Sequence, residues 1–173
     1  MNSTPTNNLG QVTTGAERLR AVGHWLLAAA PDMNQSRWEW GENDVTFLRC
    51  GGLFTAISIR RGLVHAAAGS ASPRLVDGFL EETLEGGPVI AAHDLDPYYA
   101  LVPATTAFRW SQPGAKCLPS RQLLAVPPVD HTTYENGAAY WAVPMDTPAA
   151  LCEPVLVERL VRTGLALLAE GGY

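Results

Sequence analysis

A chain of 173 residues, 47% hydrophobic and only 17% charged, can bury a core, and this balance excludes disorder over most of its length. Twelve Lys and Arg stand against seventeen Asp and Glu, for a formal net charge of −5, so the basic excess of a general nucleic-acid binder is missing. Sixteen glycines and thirteen prolines demand many turns and favour a mixed fold over a helical bundle.

Residues 1–13 are polar and aperiodic, and read as a flexible tail ahead of one domain over 14–173. This N-terminal stretch has neither the basic start nor the apolar run of a secretory leader. No apolar run approaches the length that spans a bilayer, so the expectation is a cytoplasmic protein without membrane contact. Thr14 and Glu17 stand in capping-box spacing, and Leu19, Val22, Leu26 and Ala29–Ala30 recur at helical intervals. They predict a helix over 15–30 that Pro31 stops, with His24 on its surface. Trp38 and Trp40 follow in a turn-rich connector, where they plug a core edge; a stacking platform for bases is the sharper alternative.

The runs 45–50 and 53–59 flank Gly51-Gly52 and predict a tight β-hairpin. No helix start follows those glycines, so they are not a phosphate loop. A helix over 72–85 has Ser72 as cap, Pro73 in its first turn, and Leu75, Val76, Phe79, Leu80 and Leu84 as its apolar side. Strands at 88–92 and 98–103 enclose the turn His93–Pro97. A short helix, a loop, strands at 122–126 and 138–143 around Pro127-Pro128, and a last helix from Cys152 complete the chain. The order predicts an α+β fold, a mostly antiparallel central sheet packed by helices.

Cys50, Cys117 and Cys152 are odd in number and widely spaced, which fits buried thiols and supports neither disulfides nor a zinc site. Arg almost replaces Lys, Lys116 being the one lysine, a composition associated with GC-rich genomes such as those of actinobacteria.

The stretch "LLAVPPVDHTTYENGAAYW" resembles the P-P-S…G-x-x-Y-x-W segment of the bifunctional DNA primase/polymerase N-terminal domain, of the archaeo-eukaryotic primase superfamily. "HWLLAAAP", "VTFLRCGGLFTAISI" and "GGPVIAAHDLDPYYALVP" are similar, in the same chain order, to that domain's opening helix, catalytic hairpin and histidine-bearing strand. The likeness covers about residues 15–145 and extends to small actinomycete proteins of the same label. It implies an RRM-like core and a replication-related fold.

In the family, two acids one residue apart on the second hairpin strand hold a divalent metal that activates the primer hydroxyl. Matching on Gly52 and Leu53 puts Ile57 and Ile59 at those positions, Pro97 at the family's histidine, and Val129 at the serine after the prolines. Two isoleucines offer magnesium or manganese no oxygen. The resemblance therefore implies a degenerate site: a non-catalytic binding or regulatory module without a cofactor. Its acidic balance favours a protein partner, with weak nucleic-acid or nucleotide contacts through Arg49, Arg60, Arg61, Arg109 and Arg121. The alternative is an active, reduced nucleotidyltransferase whose magnesium or manganese is held by His93, Asp94 and Asp96.

Overall fold

The computed structural model describes residues 14–92 and 95–171. The expected N-terminal tail lies outside the described residues. Helix α1 (Gly15–Leu27) opens with the full capping box: the Glu17 N–H donates to Thr14 Oγ1 at 3.2 Å and the Thr14 N–H to Glu17 Oε2 at 2.7 Å. It ends three residues short of the expected stop, because Ala29 turns its carbonyl to accept the Arg49 N–H at 2.8 Å. The connector that follows contains a helix, α2 (Met33–Gly41), with Asp32 capping the Gln35 N–H. Of the two tryptophans, Trp40 plugs the core edge and donates its indole N–H to the Val126 carbonyl at 3.1 Å, whereas Trp38 is 61% exposed.

Strands β1 (Thr46–Arg49) and β2 (Phe54–Ile59) form as expected but are not a hairpin. The Gly51 N–H closes a tight turn onto the Phe54 carbonyl, and the two strands then enter different sheets. Gly51 has φ 102°, and a side chain there would collide with Ser120. After β2 comes a helix that the sequence pattern had not indicated, α3 (Arg61–Ala68), closed by Gly69 at φ 68°. Helix α4 (Pro73–Thr83) has its proline in the first turn, but Ser72 makes no side-chain cap bond. Leu75, expected on its apolar side, is 64% exposed, while Val76, Leu80 and the following Leu84 are buried.

Strands β3 (Val89–Ala92) and β4 (Leu95–Pro103) lead into a short 3-10 helix, Ala104–Phe108. The expected loop then carries a short strand, β5 (Ala115–Cys117). Strands β6 (Leu123–Val126) and β7 (Ala139–Val143) and helix α5 (Pro154–Gly171) finish the chain. Five strands form an antiparallel sheet in the order β5-β2-β4-β3-β7. β1 and β6, expected in that sheet, pair with each other as a separate two-stranded antiparallel ribbon. The fold is therefore α+β with an antiparallel central sheet, as expected, but its strands divide between two sheets.

Alternation along the strands sorts the side chains into two cores. Ile57, Ile59, Tyr98, Ala100, Ala91 and Tyr140 face one way and pack under α3, α4 and α5. Phe54, Ala56, Ile90, Leu101 and Trp141 face the other way and pack against α1 and the β1–β6 ribbon. The double proline joins the layers: Pro127 and Pro128 lie beyond the end of β6, so neither interrupts a ladder. The Pro127 carbonyl accepts the Trp141 indole N–H at 3.3 Å, and the His131 carbonyl accepts the Trp141 backbone N–H at 2.7 Å. Cys50 and Cys152 are buried, Cys117 half-buried, and all three are free thiols. Burial raises the Cys50 pKa to about 11 and the Cys152 pKa to about 12. No helix among the described residues is long and apolar enough to cross a membrane.

Candidate functional site

The two positions at which the resemblance expects metal-holding acids lie on β2, opposite Ala100 and Tyr98 of β4. Ile57 is 0% and Ile59 1% exposed, and both pack into the apolar layer beneath α3 and α5. Among the described residues no oxygen donor replaces their side chains, and two isoleucines in an apolar layer do not fit a divalent ion. Ser58, between them, faces the opposite side and lines a groove with Arg60, Asp96, Pro97 and Lys116. Of the alternative metal trio, His93 and Asp94 lie outside the described residues. The Asp96 carboxylate accepts the Arg61 backbone N–H at 2.5 Å. Among the described residues, no three His, Cys, Asp or Glu side chains are grouped to hold a metal.

The five arginines do not form one surface. Arg49 and Arg121 flank the Gly51 turn: the Arg121 N–H, at φ 74°, donates to the Cys50 carbonyl at 2.8 Å. Arg60 and Arg61 lie at the far end of β2, six residues of strand or about 20 Å away. Arg109 is exposed at the end of the 3-10 helix, beside Trp110, Pro154 and Glu158.

The densest polar constellation was not picked out in the sequence. On the helix face of the sheet, beyond Ile59, Tyr98 of β4 and Tyr140 of β7 flank Ala91 of β3 in register. With Arg61 and His65 of α3 and Tyr134 of the β6–β7 loop, they line a cavity of about 150 Å³. The Tyr140 hydroxyl donates to Asp77 Oδ1 on α4 at 3.0 Å. The Tyr98 hydroxyl lies 3.4 Å from His65 Nε2, long for a hydrogen bond. Arg61 spans the corner, its Nη2 donating to the Ala92 carbonyl at 2.5 Å and its guanidinium carbon 6.0 Å from the Tyr98 ring centre. Tyr134 meets Tyr140 edge to face at 6.0 Å.

Burial controls the charge states. It raises the Asp77 pKa to about 6, against the opposing bond from Tyr140. It raises the Tyr98 pKa to about 12 and drives that of Tyr140 further up, with the Asp77 carboxylate adding to both. It lowers the His65 pKa, and the Arg61 charge lowers it further, so His65 is neutral at pH 7. A groove of about 500 Å³ adjoins the cavity across Pro73 and Tyr134, with Ser72, Arg74, Asp77, Thr133 and Glu135 along it. Polar, aromatic and perturbed, the cavity has the composition of a ligand site. Its only advance signal was the alternation Tyr98–Ala100 and Tyr140–Ala142; pairing with β3 and the approach of α3 are long-range.

Comparison of the chain with family models, with curated proteins and with solved structures found no match.

Proposed function

We propose that this chain is a non-catalytic, primase/polymerase-like domain that works in the cytoplasm as a binding module for a protein partner. The observation that carries the reading is the burial of Ile57 and Ile59, at 0% and 1% exposure, where the resembled family needs two metal-facing acids. Isoleucine on a strand packed under helices is a stable core residue, and water and ions are excluded from it.

The protein-partner reading draws support from the outer face of the β1–β6 ribbon. Phe47 and Leu123 are 50% and 48% exposed there, and Arg49 lies directly opposite Leu123. An apolar patch with a cation beside it suits a partner segment that carries acidic and apolar side chains together. The acidic net charge, −5, and the separation of the arginines weigh against a nucleic-acid partner.

The test is primer synthesis and primer extension by purified protein with magnesium or manganese. No incorporation is expected. Template-dependent incorporation that Asp96→Asn abolishes would overturn the reading in favour of a nucleotidyltransferase with a relocated metal. For the partner, the protein retained by the wild-type chain from DNase-treated host lysate is expected to be lost by an Arg49→Glu, Leu123→Ser variant. Retention by both would remove the ribbon as the docking face.

A further inference from the structure

We propose that the cleft between α1, α2 and the loop after β6 binds a small aromatic carboxylate, with its ring on the apolar floor and its carboxylate at an arginine rim. The cleft shares no residue with the patch of Phe47, Arg49 and Leu123 on the ribbon, so this inference and the partner reading fail separately.

The cleft has a volume of about 440 Å³, within the range of sites that take small molecules. Its floor is apolar: Leu19, Gly23 and Leu27 of α1, Trp40 of α2, and Pro128 and Val129 of the loop. The walls are fixed by bonds made outside the cleft. Trp40 donates its indole N–H to the Val126 carbonyl at 3.1 Å, which holds the ring and leaves only its carbon surface for a ligand. The Pro128 carbonyl accepts the His131 N–H at 3.0 Å, and the Pro127 carbonyl accepts the Trp141 indole N–H at 3.3 Å, so the loop wall is set as well. A pre-set aromatic wall beside an apolar floor suits a flat ring, which gains contact there without ordering further side chains.

Gly23 separates a kept space from a packing accident. It lies in the interior of α1, where glycine weakens a helix relative to alanine. Its conformation is helical, so its backbone does not demand glycine. Crowding does not demand it either: a Cβ would stand 3.8 Å from Trp40 Cζ3 and 3.9 Å from Val129 Cγ1, ordinary contact distances. Alanine would therefore make the better helix, and the only thing its methyl would take away is room between Trp40 and Val129.

The rim supplies the charge. Arg20 and Arg37 line it from α1 and α2, and Asp130 from the loop, with His24 as the remaining polar side chain. Among the described residues no carboxylate, that of Asp130 included, lies within ion-pair distance of either arginine, and residues 1–13 contain no Asp or Glu. Two arginines against one aspartate leave the rim net positive, which matches the single charge of a carboxylate.

The experiment is isothermal calorimetry on the full chain, with naphthoate as the probe, naphthylmethanol as its uncharged counterpart and acetate as the bare anion. Naphthoate is expected to bind saturably, with a dissociation constant of about 1 mM or tighter. Naphthylmethanol should bind about threefold more weakly or worse, and acetate should not saturate. Arg20→Gln and Arg37→Gln should each weaken naphthoate by about three- to tenfold without changing naphthylmethanol, and Asp130→Asn should tighten naphthoate. Gly23→Leu fills the cleft and should abolish binding. Gly23→Ala should raise Tm by about 2–4 °C while weakening naphthoate by about threefold or more, and it remains informative if Gly23→Leu does not fold. Absence of saturable naphthoate binding by the full chain, or binding unchanged in folded Gly23→Ala protein, would overturn the site. Equal affinity for naphthoate and naphthylmethanol would overturn the carboxylate as the recognised group. A lower Tm for Gly23→Ala would mean that packing requires the glycine, and would overturn the cleft as a kept space.

Discussion

Replacing Asp77 by Asn is expected to stabilise the protein at pH 7.5 and to have almost no effect near pH 3.5. The Asp77 carboxyl has a pKa of about 6 in the folded chain against an ordinary 3.8, chiefly because burial disfavours its charge. It binds its proton more tightly when folded. Its ionisation therefore costs nothing below pH 3.8, takes stability away between 3.8 and about 6, and costs a constant amount above that. The gap from 3.8 to about 6 corresponds to at most about 3 kcal/mol, and the opening of Asp77 onto the groove reduces this to about 1 kcal/mol. Asn keeps an oxygen to accept the Tyr140 hydroxyl at nearly the same place and cannot ionise. The measurement is urea unfolding of both proteins from pH 3.5 to 7.5. The variant should gain about 1 kcal/mol at pH 7.5, or about 2–4 °C in Tm, and the gain should vanish toward pH 3.5. A gain that is the same at both ends, or a variant less stable at pH 7.5 than at pH 3.5 relative to wild type, would refute the burial argument.

Two further outcomes follow from packing and charge placement. A Cβ on Gly164 of α5 would lie 2.6 Å from the Leu63 carbonyl oxygen and 2.5 Å from Leu63 Cδ2, so Gly164→Ala forces α3 and α5 apart. The clash outweighs the better helix propensity of alanine, and thermal unfolding should show a loss of about 1–2 kcal/mol; an unchanged or higher Tm would mean that the helices do not pack this closely. Non-specific DNA should bind no tighter than about 10⁻⁵ M at physiological salt, because Arg49 and Arg121 lie a strand's length from Arg60 and Arg61. Fluorescence anisotropy over a salt series checks this, and sub-micromolar binding that falls steeply with salt would restore nucleic acid as the ligand.

Local signals placed most elements because their causes are local. The Thr14–Glu17 capping box closes within one turn, and Pro73 needs only its own fixed φ to start α4. The alternation of Ile57 and Ile59 puts both on one face whatever lies above them, and their burial followed from it. The α+β class was legible for the same reason. Of the two missed helices, α2 lacks an apolar stripe, and α3 has one too short to repeat along the chain. α2 buries only Ser36, and its signal was the Asp32 cap; α3 is eight residues long and is announced mainly by Gly69 at its end.

Strand pairing was the part that only the tertiary structure decided. Gly51-Gly52 and Pro127-Pro128 both lie between strands, and adjacency in sequence suggested that each joins a pair. Instead β1 leaves β2 to pair with β6, much further along the chain (Thr46 opposite Val126), and β7 leaves β6 to pair with β3. The glycine at 51 is required by the close passage of Ser120, a residue that no local pattern connects to it. The candidate site has the same origin. Tyr98, Tyr140, Arg61, His65 and Asp77 come from four elements, and each is unremarkable in its own segment. Their charge states and their cavity exist only because burial brings them together, and burial is a property of the packed layers that no single stretch of sequence carries.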